Sequence, residues 1–263
     1  MRRYPHLCRF IAVTALGLGA AACHHGSSGV STTTATADPE GIWTGTDSIS
    51  GLAVMGLINT TGQSEFIRAD GVLYAGTLAI SESTLSGTLY GYSPYGTTFP
   101  DGSDFGLGTF GATVVTAASI DATWNFTTVK SATTENMWSL TYDPLYTTAS
   151  STTAIAGTYT NTETIGPSAA ATVTISASGA ISATSTASGC VLTGQVTANE
   201  PTDDIYEVTF SYASCTDTTL NGVQFAGLGM LNSAVTPAKV LIAVTGEAPD
   251  QSNYGLVMTL TAS

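Results

Sequence analysis

Thr172-Val173-Thr174-Ile175-Ser176-Ala177 turns at Ser178-Gly179 into Ala180-Ile181-Ser182-Ala183-Thr184-Ser185-Thr186, and on both sides of the turn apolar and polar residues alternate. A period of two puts one row of side chains in a core and the other in water, which is the mark of a half-buried strand. Outward from this hairpin the pattern recurs over 190–197, 205–212, 222–231, 239–245 and 254–262, with an opening strand at Ala156-Gly157-Thr158-Tyr159. Upstream, an opening at Gly41-Ile42-Trp43-Thr44-Gly45 is followed by segments over 52–58, 64–69, 72–80, 84–92, 109–115, 119–128 and 137–142. No window holds a 3.6-residue apolar period, and β-branched and aromatic residues crowd the segments. Short connections such as Asp70-Gly71 and Ser178-Gly179 suit antiparallel neighbours. The expectation is an all-β chain of two tandem antiparallel eight-stranded up-and-down β-barrels, whose closure removes exposed edges; a two-sheet β-sandwich is the alternative. The joint is Tyr142-Asp143-Pro144-Leu145-Tyr146 and the Ser/Thr run after it, which divides the chain into 41–148 and 149–263.

The N-terminal portion reads differently. Arg2, Arg3 and Arg9 precede an apolar run over 10–18, and small residues then lead to Cys23. Basic head, short apolar core and small residues are the anatomy of a secretory signal, here over 1–22. The run is too short for a transmembrane helix, which needs ~20 apolar residues. From His24 to Asp38 the chain is Ser, Thr, Gly and Ala, which cannot bury a core, so 23–40 reads as a flexible tether carrying His24 and His25.

Charged residues make up 10% of the 263, against ~25% in soluble domains. Beyond the signal only Arg68, Lys130 and Lys239 oppose 19 acids, a net charge of −16. Such a field repels nucleic acid and anionic headgroups. Cys8 leaves with the signal and Cys23 is the anchor candidate. Cys190 and Cys215 then form a pair suited to a disulfide in an oxidising compartment; zinc is the rival, but no histidine lies near them. Placing the two cysteines opposite each other across a hairpin sets Phe210 beside Gln195 and Val208 beside Thr197, which throws the apolar rows onto opposite faces. One extra residue near Ala213-Ser214 restores the register.

For chemistry, Ser-His catalysis lacks a base, since His24 and His25 lie on the tether. Glu65, Glu82, Asp121 and Glu135 share one domain, so an envelope hydrolase with paired carboxylates is the alternative to a binder. Pro100-Asp101-Gly102-Ser103-Asp104 carries two carboxylates in a loop but lacks the further ligands of a calcium site, and Asp203-Asp204 reads as turn chemistry. No cofactor or metal is called for. The densest aromatic cluster is Tyr90, Tyr92, Tyr95, Phe99 and Phe105. Tyr92, Tyr95, Phe99 and Phe105 are candidates for a partner-binding surface, with Tyr95 and Phe99 exposed at a barrel mouth; the competing reading has Tyr90 and Tyr92 lining the barrel and Phe105 opening a strand.

The run ending Ala20-Ala21-Ala22-Cys23 resembles the lipobox of bacterial lipoproteins, with Ala20 where that family most often has leucine. The resemblance implies acylation of Cys23, and His24 in place of aspartate implies the outer membrane. The order of lipobox, tether, Gly41-to-Trp43 opening, Tyr142-to-Tyr146 joint and Ser188-Gly189-Cys190 with a later Cys215 resembles an uncharacterised class of two-barrel lipoproteins of Gram-negative bacteria. More distantly it is similar to surface lipoproteins that bind transferrin or complement factor H. These resemblances imply a non-catalytic binding or structural module of the envelope, held to the membrane by its lipid, with a protein or carbohydrate partner.

Overall fold

The computed structural model describes residues 36–161, 166–248 and 251–263. The segment read as a signal, with Cys23, His24 and His25, lies outside the described residues.

Two closed barrels follow one another in the chain, each with eight antiparallel strands. The first comprises β1 (Gly41–Asp47), β2 (Ala53–Ile58), β3 (Gln63–Arg68), β4 (Leu73–Ser81), β5 (Thr84–Tyr92), β6 (Phe105–Val115), β7 (Ser119–Thr128) and β8 (Thr133–Asp143), and β8 closes on β1. The second comprises β9 (Gly157–Asn161), β10 (Ala171–Ile175), β11 (Ala180–Ser185), β12 (Val191–Ala198), β13 (Tyr206–Ala213), β14 (Gln224–Asn232), β15 (Lys239–Glu247) and β16 (Asn253–Ala262). There β9 closes the circle between β16 and β10. Between the barrels run a 3-10 turn, Pro144–Thr147, and the one-turn helix α1, Thr152–Ile155. Asp143 caps the first by accepting from the Leu145 N–H, and Ser151 caps the second by accepting from the Ala154 N–H. The up-and-down barrels expected from the alternation are therefore present, and the sandwich is not.

The alternation is nearly strict where strands face solvent. On β7, Ile120, Ala122, Trp124 and Phe126 are buried while Asp121, Thr123 and Asn125 are exposed. The interior of the first barrel is a solid aromatic stack: Tyr74 lies 5.1 Å from Trp124 and 5.5 Å from Trp138, and Phe66 lies 5.2 Å from Trp138. Phe210, Tyr212 and Phe225 do the same work in the second, with centroids 5.3–5.6 Å apart. Barrels with an apolar, filled interior and a Thr/Ser exterior reverse the polarity of a membrane-spanning barrel, whose apolar band faces outward.

Each barrel opens with the same device. Trp43 Nε1 donates to the Pro39 carbonyl at 3.0 Å, and Tyr159 Oη donates to the Ile155 carbonyl at 2.7 Å, each reaching back four residues. The ring folds over the glycine two positions earlier: a Cβ on Gly41 would lie 3.0 Å from Trp43 Nε1, and one on Gly157 3.3 Å from the Tyr159 ring. The shared glycine-before-aromatic motif thus plugs one end of each barrel and satisfies a buried donor.

Two strands start earlier than expected. β6 begins at Phe105 and not at residue 109, and β8 at Thr133 and not at 137. The glycines over 105–108 suggest a loop, yet Gly106 faces inward, where a Cβ would come 2.5 Å from the Phe126 ring. Glycine here makes room for an aromatic ring.

Cys190 and Cys215 are joined in a disulfide. β12 and β13 pair Gln195 with Thr209 and Val196 with Val208, one step from the register that would oppose the cysteines directly. Ser214, with φ of 60°, supplies the extra residue. The bridge closes a sequence separation of 25, so changing both cysteines to serine is expected to cost about 3 kcal/mol, read as a lowered urea midpoint, with a steeper slope as the unfolded chain is released.

Candidate functional site

Closed barrels have no free strand edges, so among the described residues the two barrels meet through side chains. Outward-facing Ile42, Met55 and Leu57 of the first barrel pack with Ile205, Leu228, Met230 and Leu241 of the second. Beside them Ile67, Leu73, Ala75, Tyr92 and Phe105 pack with Ala243 and Val257. Gly255 of β16 lets this seam close: a Cβ there would meet Tyr92 Cβ at 2.5 Å.

The loop over 93–104 contributes to the seam, and this corrects the expectation that Tyr95 and Phe99 stand exposed. Tyr92 is buried between the barrels, where burial, with a contribution from Glu65, pushes its phenol up to about 12. Tyr95 is half-buried against the core of the second barrel, and its hydroxyl donates to Asp217 Oδ2 at 2.6 Å. Phe99 packs on the first barrel's core, 5.1 Å from Phe126. Phe105 is half-buried and opens β6, 5.3 Å from Tyr92. The loop over 93–104 acts as a strap, and contacts between and within the barrels take up Tyr92, Tyr95 and Phe99. Where the strap meets the second barrel there is a polar cleft of about 290 Å³, lined by Thr97, Asp104, Asn253 and the Tyr95 and Tyr254 rings.

What remains accessible is the outer face of β5 to β7. Tyr90 is 43% exposed and stacks on Phe105 at 5.9 Å with an interplanar angle of 15°. Leu107, its register partner, is 47% exposed, and Val129 is 60% exposed. Leu107 and Val129 border an open cleft of about 600 Å³, into which Thr109, Thr123, Asn125 and Thr127 also face. The flat ring pair thus lies beside neutral hydroxyl and amide groups, and no charged side chain lines the cleft.

The four carboxylates singled out in the first domain are placed differently from one another. Glu82 sits in the β4–β5 turn with φ of 55°. Asp121 and Glu135 face outward on neighbouring strands, but Asp121 pairs in register with Ser139 and Glu135 with Asn125. That four-residue offset is about 13 Å along the strands, beyond the ~5–9.5 Å separations of glycosidases. Asp101 accepts from Thr128 Oγ1 and, at 2.9 Å, from the Ser103 N–H, while Lys130 Nζ donates to the Gly102 carbonyl at 2.8 Å, so this loop is a hydrogen-bonded turn. Among the described residues no cluster of His, Cys, Asp and Glu could hold a metal ion.

Asp203 and Asp204 do more than shape a turn. Asp203 accepts from the Ile205 N–H at 3.2 Å and from Tyr146 Oη at 3.3 Å, and Tyr146 Oη also reaches Glu40 Oε2 at 3.3 Å. The Asp204 N–H donates to the Tyr146 carbonyl at 2.9 Å, which ties the joint to the second barrel. Burial pushes the Asp204 carboxyl up to about 7.

Glu65 has an unusual setting for an acid. It lies on β3 between Leu57 and Ala75, faces the second barrel, is 2% exposed, and its Oε2 has no hydrogen-bond partner. Burial raises its pKa well above the ordinary glutamate value, only partly opposed by Gln63. The folded protein therefore holds this proton more tightly than the unfolded chain, so its contribution to stability is fully present below the ordinary carboxylate pKa and is lost as pH rises toward the folded value. Glu65→Gln is expected to leave stability at pH 4 nearly unchanged and to raise it by about 1 kcal/mol at pH 8, measured by urea unfolding at the two pH values; an equal effect at both would contradict the assignment.

No protein-family model matches the chain, and no curated protein is a significant match to it.

Proposed function

We propose that the chain is a non-catalytic binding module of the bacterial cell envelope, held at the outer membrane by lipid on Cys23, and that its partner docks on the outer face of β5 to β7. The observation that carries the binding reading is the accessible Tyr90–Phe105 stack flanked by Leu107 and Val129. Soluble proteins seldom leave stacked rings and aliphatic side chains together on a strand face unless something covers them. Thr109, Asn125 and Thr127 offer neutral hydrogen-bonding groups beside the rings, and Glu135 stands opposite Asn125 in register. This chemistry suits the apolar face and hydroxyl rim of a neutral sugar, and it disfavours an anion. Aromatic side chains pack in the interior of both barrels, and this cleft lies on the exterior. The anchor reading rests on the basic head, short apolar run and small residues before Cys23.

Two experiments test the two halves separately. Cys23→Ser is expected to move the protein from the membrane fraction to the soluble periplasm and to abolish incorporation of labelled palmitate; retention with continued labelling would refute the anchor. Tyr90→Ala combined with Leu107→Ala is expected to weaken binding to neutral envelope polysaccharide at least tenfold, followed by fluorescence of Trp124 beside the cleft, while the urea midpoint stays near that of the parent. Unchanged saccharide affinity, or no saccharide binding by the parent, would remove this face from consideration.

A further inference from the structure

At the end of the seam opposite the polar cleft, the barrels diverge into a groove of about 380 Å³. That lies at the lower end of the ~300–1,000 Å³ range of small-molecule sites. Its walls are the outward-facing Met55 and Ile67 of the first barrel and Met230 and Leu241 of the second. Two of these are methionines, whose unbranched side chains adapt to an inserted chain. Lys239 stands at the rim, two residues before Leu241 and four before Ala243, which belongs to the closed part of the seam. Lys239 to Ala243 spans about 13 Å of strand.

The charge at the rim is distinctive. Three basic residues lie beyond the N-terminal segment. Arg68, which also borders the groove, is held by Asp70 through two bonds of 2.9 and 2.8 Å and lies over the Tyr74 ring at 5.7 Å. Lys130 Nζ is occupied by the Gly102 carbonyl. Lys239 alone has neither a hydrogen bond nor an ion pair among the described residues, and in a chain with 19 acids no carboxylate lines this groove. An apolar trough that ends at one unneutralised ammonium complements an alkyl chain that ends in an anion.

We propose that this groove binds a free single-chain anionic amphiphile, a long-chain fatty carboxylate, with its chain between Met55, Ile67, Met230 and Leu241 and its carboxylate at Lys239 Nζ. The proposal is independent of the outer face of β5 to β7, and the Tyr90→Ala, Leu107→Ala variant is expected to bind the amphiphile as the parent does.

The probe is laurate, titrated calorimetrically below its micellar concentration into the full chain and into its Cys23→Ser variant. Both are expected to bind one equivalent. Replacing laurate with decanoate removes two methylenes and is expected to weaken binding about tenfold. Lys239→Gln is expected to weaken laurate about fivefold, and to leave the neutral dodecyl maltoside unaffected. Ala53→Phe fills the groove from an exposed position and is expected to abolish binding without lowering the urea midpoint. Absence of laurate binding, equal binding by Lys239→Gln, or binding that survives Ala53→Phe would each overturn the proposal. Binding by the Cys23→Ser chain but not by the lipidated parent would overturn it too, because the groove would then be filled by the protein's own acyl chains.

Discussion

The two barrels must join without sharing a strand, and that constraint organises everything outside their cores. A closed sheet leaves no unpaired N–H or C=O row to extend, so the hydrogen bonding that holds each barrel together cannot hold the pair together. What holds the pair is side-chain burial: Leu57, Leu228 and Met230 in one patch, and Leu73, Tyr92 and Ala243 in the next. At ~25 cal/mol per Å² of apolar surface, fully buried leucines and a tyrosine make a seam more like a domain core than a transient contact. Sequence polarity records this. Strands facing only water alternate strictly, whereas β2, β4 and β15 carry runs of consecutive buried residues because both of their faces are covered.

Glu65 sits against that logic. A carboxyl with an unpartnered oxygen in an apolar seam costs stability that a leucine would not. Raising its pKa keeps it neutral over a wider pH range and limits the cost. Tyr92 bears the same neighbourhood: its phenol is raised by burial first and by Glu65 second. The seam is thus one part of the molecule whose stability is tied to pH, and the joint at Asp204 is another, while the barrel interiors are built mainly of Trp, Phe and Tyr.

How much of this was legible in the sequence depends on which interaction set each feature. The period-two pattern depends only on burial of alternate residues, so strand number and barrel closure could be read from it. The bulge at Ser214 was legible as well, because a single register had to satisfy both the cysteine pair and the apolar rows of β12 and β13. The start of β6 was not, since glycines at 106 and 108 mean a loop to any local rule and answer to Phe126 and Trp124 on a neighbouring strand. The fate of Tyr95 and Phe99 was hidden for a related reason. Their partners, Asp217 and Phe126, lie 122 and 27 residues away in sequence, and no local pattern marks them. Phe105 opens β6, and its ring also borders the seam and stacks on exposed Tyr90.

Filling the barrels also decides where recognition can occur. Eight strands enclose just enough space for side chains or one small ligand, and here the aromatic stack occupies it. The described aromatic side chains take up interior space in both barrels, and clefts lie on strand faces and at the junction of the two cylinders. The junction offers two unlike ends, a polar cleft with Asp104, Asn253 and two tyrosines, and an apolar groove with a lone lysine. Convex cylinders lying side by side always leave such wedges at the ends of their contact line, which makes the wedges a by-product of the fold. Their chemistry is not a by-product. In a chain with so few cations, the placement of Lys239 on the apolar wedge, with acids kept off its walls, is a feature that packing alone does not require.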